Sequence, residues 1–276
     1  MLKEDIYDLG DSIEHEIKTV GKYGCKGEHR SKRKKATPEQ MARQNQWKKE
    51  ARVRRKIKAN FSPGDLWLTL KYPKGTRIPY EQVKADMTKY LRQMRREYNS
   101  RGQPFKWIMR IEIGSRGGIH AHMIVNRLDD QRADMIAQET WQRITSGRIN
   151  YTNIYAEGGY VKLAKYITKQ PNEAQRQQLE ERSPDEARGL TRYSSSRNLI
   201  VPQPIRKKTH WRTIRKMILE GIKPKDGYYV DKESVYYGTN PFNGLTYLKY
   251  TECRLGTLQG TPEPVKPVMT EWEESG

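Results

Sequence analysis

Cysteine is nearly absent. The 276 residues contain only Cys25 and Cys253, with no CxxC pair, so neither a disulfide framework nor a cysteine-built zinc site is available. Apolar residues are also sparse, at 34% of the chain, and can form a core for part of it but not all. No run reaches the ~18 consecutive apolar residues that a membrane span requires. The segment Met1–Thr19 is acidic and lacks the apolar stretch of a secretory signal. The expectation is a cytoplasmic protein of a reducing compartment with no membrane partner.

Acidic residues are outnumbered, 33 against 53 Lys and Arg, which leaves a net charge of +20. The excess is not spread evenly. Residues 22–60 carry 15 basic and 3 acidic side chains, residues 61–170 carry 19 and 10, and residues 193–260 carry 12 and 5. Both termini are acidic. Such blocks suit a polyanionic partner, because neutralising phosphates releases condensed counterions and gives affinity independent of sequence. A solvated basic surface, or a targeting run at Lys32–Lys35, is the plainer alternative.

Residues 1–60 read as a basic, partly helical N-terminal arm. Its first 36 residues look weakly structured, and Thr37-Pro38 opens a helix running to about Asn60. From 61 to 170 strands and helices alternate. Leu66–Leu70 is a short apolar strand, and the helix after Pro79 has Val83, Met87, Tyr90, Leu91, Met94 and Tyr98 on one face. Phe105–Ile113 and Ile119–Val125 are strands joined by the glycine-rich turn Gly114–Gly118. A helix over Asp129–Thr145, a strand over Arg148–Tyr155 and a helix over Gly158–Gln170 follow. The class is α+β, a ferredoxin-like or RRM-like split βαβ with a central antiparallel sheet. Helices on one face of that sheet leave the other free for a site. Residues 171–192 read as an acidic surface excursion, 193–260 as a small basic α/β extension packing on the main domain, and 261–276 as a loose tail.

Chemistry concentrates on Glu112, His120 and His122. Alternate residues of a strand share a face, so the two histidines point the same way. If the hairpin pairs Ile113 with Ile119, Glu112 lies opposite His120, with Cβ atoms about 5 Å apart. Two imidazoles and a carboxylate then converge as a divalent-metal site; a slip of one residue would scatter them. Non-haem iron oxygenases use the same donor set but have no need of a basic chain, and the helices do not suit a cupin barrel. The segment GGYVKLAKYITKQ adds two tyrosines. Tyr160, Leu163, Ala164 and Ile167 form an apolar stripe, which assigns Tyr160 to packing. Tyr166 lies about 110° from the stripe centre, between Lys162 and Lys169, which would favour its phenolate or hold a phosphate.

These residues bring a family into view. GIHAHMIV resembles the His-hydrophobic-His motif of HUH endonucleases, and LAKYITK resembles their YxxK motif, here Tyr166 to Lys169. Trp67–Leu70 stand where such proteins have a first, structural motif. Over about residues 61–170 the chain looks most like rolling-circle replication initiators, the Rep proteins of phage, plasmid or Gram-positive mobile elements. Some phage initiators carry two tyrosines four residues apart on this helix; Lys162 occupies the earlier position here.

The resemblance implies the HUH nuclease fold, and Mg²⁺ or Mn²⁺ on Glu112, His120 and His122. It implies Tyr166 as nucleophile on single-stranded origin DNA, with a 5′-phosphotyrosine intermediate, and Lys169 stabilising charge. The chain lacks a GxxxxGK[ST] loop, so unwinding would fall to supercoiling or a host helicase, and synthesis to a host polymerase. An HUH relaxase or transposase shares these motifs. A noncatalytic RRM-like nucleic-acid-binding module shares the topology, although its central strand would carry aromatics where Ile119–Val125 carries histidines.

Overall fold

The structure is a computed structural model and describes residues 1–20, 25–32, 35–155, 157–256 and 263–269. Its strands are β1 (Leu2–Asp8), β2 (Ser12–Thr19), β3 (Leu66–Lys71), β4 (Trp107–Ile113), β5 (Ile119–Val125), β6 (Arg148–Asn153), β7 (Tyr193–Ser195), β8 (Ile205–Lys208), β9 (Tyr228–Val230), β10 (Tyr236–Asn240), β11 (Leu245–Arg254) and β12 (Val268–Met269). Its helices are α1 (Pro38–Lys58), α2 (Tyr80–Asn99), α3 (Ala133–Thr145), α4 (Val161–Thr168), α5 (Glu173–Glu180), α6 (Pro184–Thr191) and α7 (Trp211–Glu220). The chain divides into two compact units, Asn45–Val201 and the pair Met1–Gln44 with Pro202–Gly276. Among the described residues no helix is long and apolar enough to cross a membrane.

The Asn45–Val201 unit is built on a five-stranded sheet in the order β6-β3-β5-β4-β7, every neighbour antiparallel. Two interleaved crossovers, β3-α2-β4 and β5-α3-β6, make the split βαβ, and the α+β class read from the sequence is what the chain adopts. Period-2 alternation decides the faces. Leu66, Leu68 and Leu70 of β3, Met109 and Ile111 of β4, and Ala121 and Met123 of β5 turn to one side. There they meet Val83, Met87, Tyr90, Met94 and Tyr98 of α2 and Ile136 and Trp141 of α3. Each large apolar side chain taken fully from water contributes about 1.5–3 kcal/mol, so this side anchors the sheet.

The opposite face departs from expectation, because it is not left bare. Val53 and Ile57 of α1 and Tyr160, Ala164 and Ile167 of the YxxK segment pack on Ile108 and Ile124. The second half of α1 is therefore a core element rather than a free arm. Its average polarity hid two fully buried residues. The YxxK segment is also not one helix. A 3₁₀ turn over Glu157–Tyr160 precedes α4, and Tyr160 takes a left-handed φ of 62° at the junction. The break turns the Tyr160 ring into the core while α4 sets off in a new direction.

Residues 171–192, read as a surface excursion, form α5 and α6 and bury Gln175 and Leu190. Gly189 of α6 backs directly onto the Tyr80 hydroxyl, leaving no room for a Cβ. Both helices are shorter than three turns and mostly polar, so periodicity gave them no signature. Residues 193–195 do not begin a separate extension; as β7 they are the edge strand beside β4.

The other unit holds a sheet in the order β12-β10-β11-β2-β1-β8, with β9 also on β11. Here the first 36 residues, expected to be weakly structured, supply the hairpin β1–β2, paired from Leu2↔Thr19 to Asp8↔Ile13. Its charged residues are sheet partners: Asp5 lies 2.8 Å from the Lys18 ammonium and 3.2 Å from the Arg206 guanidinium. The core of this unit joins Leu2, Ile17, Leu248 and Tyr250 to Ile214 of α7. The tail read over 261–276 is partly tied down, with Val265 bridged to Ile222 and β12 parallel to β10. Residues 261–262 and 270–276 of that reading lie outside the described residues.

Candidate functional site

The hairpin between β4 and β5 closes in the register that brings the chemistry together. Ile113 pairs with Ile119, and Glu112 with His120. The turn between them is held by the Gly114 amide donating to the Gly118 carbonyl at 2.8 Å and the Gly117 amide to the Gly114 carbonyl at 2.9 Å. Gly117 adopts a φ of 78°, a conformation that side-chain-bearing residues rarely take. One candidate ligand atom from each of Glu112, His120 and His122 lies within 4.8 Å of the others.

Each member has an orienting partner. His122 Nδ1 lies 3.1 Å from Thr69 Oγ1 on the neighbouring β3, and its ring stacks on Trp67 at 5.3 Å between centroids. That leaves His122 Nε2 turned to the Tyr166 hydroxyl, 2.9 Å away. Glu112 Oε1 accepts from Lys169 Nζ at 2.7 Å and from Gln175 Nε2 at 3.1 Å. The other oxygen, Oε2, is buried with no hydrogen-bond partner among the described residues. Gln175 also donates to the Ile113 carbonyl at 2.8 Å, fastening α5 to the end of β4.

Tyr166, 36% exposed, sits at the open side of the cluster, while Tyr160 is 7% exposed within the core. Lys169 caps α4 with an extended backbone and holds its ammonium 4.3 Å over the Tyr166 ring. All five residues singled out from the sequence therefore meet, while Lys162 stays on the exposed side of α4.

The electrostatics follow from this packing. Burial pushes both histidines down, His122 to about 4 with help from the neighbouring His120, and neutral imidazole is the form that binds metal. Burial works to raise the Glu112 carboxyl, but the Lys169 ammonium outweighs it and holds the group below its ordinary value, ionised. Tyr166 goes against the sequence expectation. Burial and the Glu112 charge raise its hydroxyl above the ordinary value in spite of Lys169, so the resting residue is a phenol. Two neutral imidazoles, an ionised carboxylate and a bare buried carboxylate oxygen fit a divalent cation.

Two functional neighbours escaped the sequence reading. Arg110, 1% exposed, donates from Nη1 to the carbonyls of Lys169 (2.6 Å) and Ile167 (3.2 Å), closing the C-terminal end of α4. Its Nε lies 3.7 Å from Glu112 Oε2. The signal was present, since Arg110 stands two residues before Glu112 and must share its face. Gln175 had none, being one of several glutamines in a polar stretch.

A split-βαβ domain with a candidate metal centre facing a tyrosine hydroxyl is thus the class that fold and site define. Residues 65–171 match the model of the family described as replication-associated protein ORF2/gene 2 protein. Over this segment the chain is similar to replication proteins of the rolling-circle Rep type, as its two motifs suggested. No curated protein and no solved structure matches the chain.

Proposed function

We propose that this protein is an HUH-type endonuclease and strand transferase that nicks and rejoins single-stranded DNA to initiate rolling-circle replication of a mobile element. The observation that carries the reading is the approach of the Tyr166 hydroxyl to His122 Nε2, at 2.9 Å, within a cluster of two histidines and a glutamate. The match of residues 65–171 to replication-associated proteins supports it. A noncatalytic RRM-like module is disfavoured, because the sheet face on which such a module stacks bases is here packed by α1 and α4.

Glu112, His120 and His122 would hold Mg²⁺ or Mn²⁺, which when bound supplies positive charge to polarise the scissile phosphate. Tyr166 does the covalent work. It loses its proton, its oxygen forms a bond to phosphorus, and the bond from phosphorus to the 3′ oxygen breaks. That oxygen takes up a proton as a free 3′-hydroxyl, and the 5′-phosphate remains on Tyr166. The phosphodiester energy is kept in the new ester, so a second 3′-hydroxyl can rejoin the strand by the reverse step. Lys169, positioned by Glu112 and lying over the Tyr166 ring, places positive charge where the phosphate must sit. Arg110 fixes the end of the helix that carries the nucleophile. A host helicase and polymerase complete the replication reaction in this scheme.

The test is incubation with Mn²⁺ and an origin-containing oligonucleotide, followed by boiling in detergent and electrophoresis. A protein–DNA adduct is expected, with no adduct from His122→Ala even when single-strand binding is retained. Undiminished adduct in His122→Ala would remove the metal cluster from the mechanism.

A further inference from the structure

Beyond the metal cluster, the Asn45–Val201 unit carries a second concentration of charge. Lys49, Arg52 and Lys56 of α1 follow i, i+3, i+7 and so line one flank of the helix, beside the stripe that buries Val53 and Ile57. That flank runs along the edge strand β7. Lys56 Nζ is 3.4 Å from Ser195 Oγ and 5.8 Å from the centre of the Tyr193 ring. Arg192 stands next in β7's approach, and Tyr193 pairs with Arg110 of β4, the residue that reaches Glu112. The track therefore ends at the candidate metal site.

Among the described residues, none of Lys49, Arg52, Lys56 and Arg192 forms an ion pair with a carboxylate. Lys49 and Lys56 are half-buried, and both ammonium groups are held below their ordinary pKa. For Lys49 the causes are burial and then the charges of Arg110 and Arg192; for Lys56 they are burial and then Arg52. Folding alone does not explain partly desolvated cations gathered without counter-charge. A bound polyanion would repay that repulsion.

We infer that the track between α1 and β7, lined by Lys49, Arg52, Lys56 and Arg192 with the Tyr193 ring among them, binds the phosphodiester backbone of single-stranded DNA and leads it to Tyr166. The inference rests on the proposed nicking function and assigns the strand's path. From Lys49 to Lys56 the helix rises about 10 Å, the span of about three backbone phosphates. A single row of cations with one half-exposed aromatic ring matches how proteins hold a single strand, by charge along the backbone and a ring under a base.

The experiment compares the full chain with the variant Lys49→Gln/Arg52→Gln/Lys56→Gln/Arg192→Gln. A control, Lys89→Gln/Arg92→Gln/Arg95→Gln/Arg96→Gln, removes four charges from the exposed side of α2, the helix on the sheet's other face. Fluorescence anisotropy measures binding of a labelled oligothymidylate and of a duplex of the same length across a salt series. The track variant should lose at least tenfold in single-strand affinity. Its salt dependence should become shallower by about 0.7 in log–log slope for each phosphate no longer neutralised. The control should change single-strand affinity less than threefold. Equal losses in both variants, or a loss confined to duplex, would overturn the inference.

Adduct formation at saturating oligonucleotide separates this idea from the parent reading. Adduct from the parent protein with unchanged track-variant binding would sink the track and spare the nuclease. Single-strand binding lost only in the track variant, without adduct from any protein, would do the reverse.

Discussion

Glu112 shows how much a single residue is asked to do. One carboxylate oxygen is engaged by Lys169 and Gln175, and the other is buried and bare. Gln175→Leu keeps most of the volume and removes the donor that fixes the carboxylate's rotation. Partners of this kind are worth 10–100-fold in metal affinity. The Mn²⁺ concentration giving half-maximal adduct should rise by about that factor in Gln175→Leu, while thermal unfolding without metal moves little; an unchanged Mn²⁺ requirement would confine Gln175 to capping α5. The two tyrosines divide as their surroundings dictate. Tyr166→Phe should abolish the adduct. Tyr160→Phe should keep it, at a cost of about 0.5–1.5 kcal/mol in stability for a lost buried hydroxyl. Adduct from Tyr166→Phe but not from Tyr160→Phe would exchange their roles.

Among elements, α1 decides how the basic region can be studied. Deleting residues 22–60 as a dispensable arm would remove Val53 and Ile57, both fully buried, and leave Ile108 and Ile124 uncovered. Replacing a buried Ile by Ala costs about 2–5 kcal/mol, so Ile57→Ala should lower the unfolding midpoint by several degrees, whereas Arg52→Gln on the exposed side of the same helix should barely shift it. Comparable shifts in the two would return α1 to the status of an arm.

The contrast also shows where sequence reading works. The β4–β5 register was legible because alternation and a glycine-rich turn over-determine it, and α2 because six apolar residues repeat at 3.6. Helix α1 was half legible: Thr37 caps it, accepting from the Gln40 amide at 3.2 Å, but two buried residues in a helix this polar leave little periodic trace. The hairpin β1–β2 was missed because its strands carry charges that are satisfied by neighbouring strands, and single-strand patterns do not show neighbours. Tyr166 was found, but its protonation was not, since a helical wheel registers adjacent lysines and not the carboxylate across the site.

At the scale of the whole molecule, two units with different cores respond to pH through different groups. In the unit holding both termini, His15 Nδ1 is 2.7 Å from Glu4, its Nε2 is 3.4 Å from Glu252, and its ring stacks on Tyr250. Burial works against charging this imidazole, but the two carboxylates prevail and raise its pKa. Above pH 6.5 the folded state therefore holds a proton that the unfolded chain has released, and by linkage its stability falls as pH rises. The His15 contribution is fully present below pH 6.5 and is lost as pH passes through the raised value. Thermal unfolding should show the unit holding both termini weakening between about pH 6 and 8, and His15→Phe should flatten that slope. A slope unchanged in His15→Phe would assign it to other groups.

The hydrogen bond between Tyr166 and His122 Nε2 has a further consequence. His122 Nδ1 is engaged with Thr69, so Nε2 is the nitrogen left for an ion, and the nucleophile itself now occupies it. Cation and phenol are rivals for one lone pair. Loading the metal must evict the tyrosine, and eviction frees its oxygen for a phosphate; without an ion the hydroxyl stays parked on its own histidine. The metal thus acts as a release as well as a Lewis acid, and the idle enzyme keeps a latch on its reactive atom. If so, Tyr166→Phe, though catalytically dead, should bind Mn²⁺ more tightly than the native protein, by about fivefold for one hydrogen bond of about 1 kcal/mol. Calorimetric titration would show it, and weaker or equal binding would mean that no latch exists.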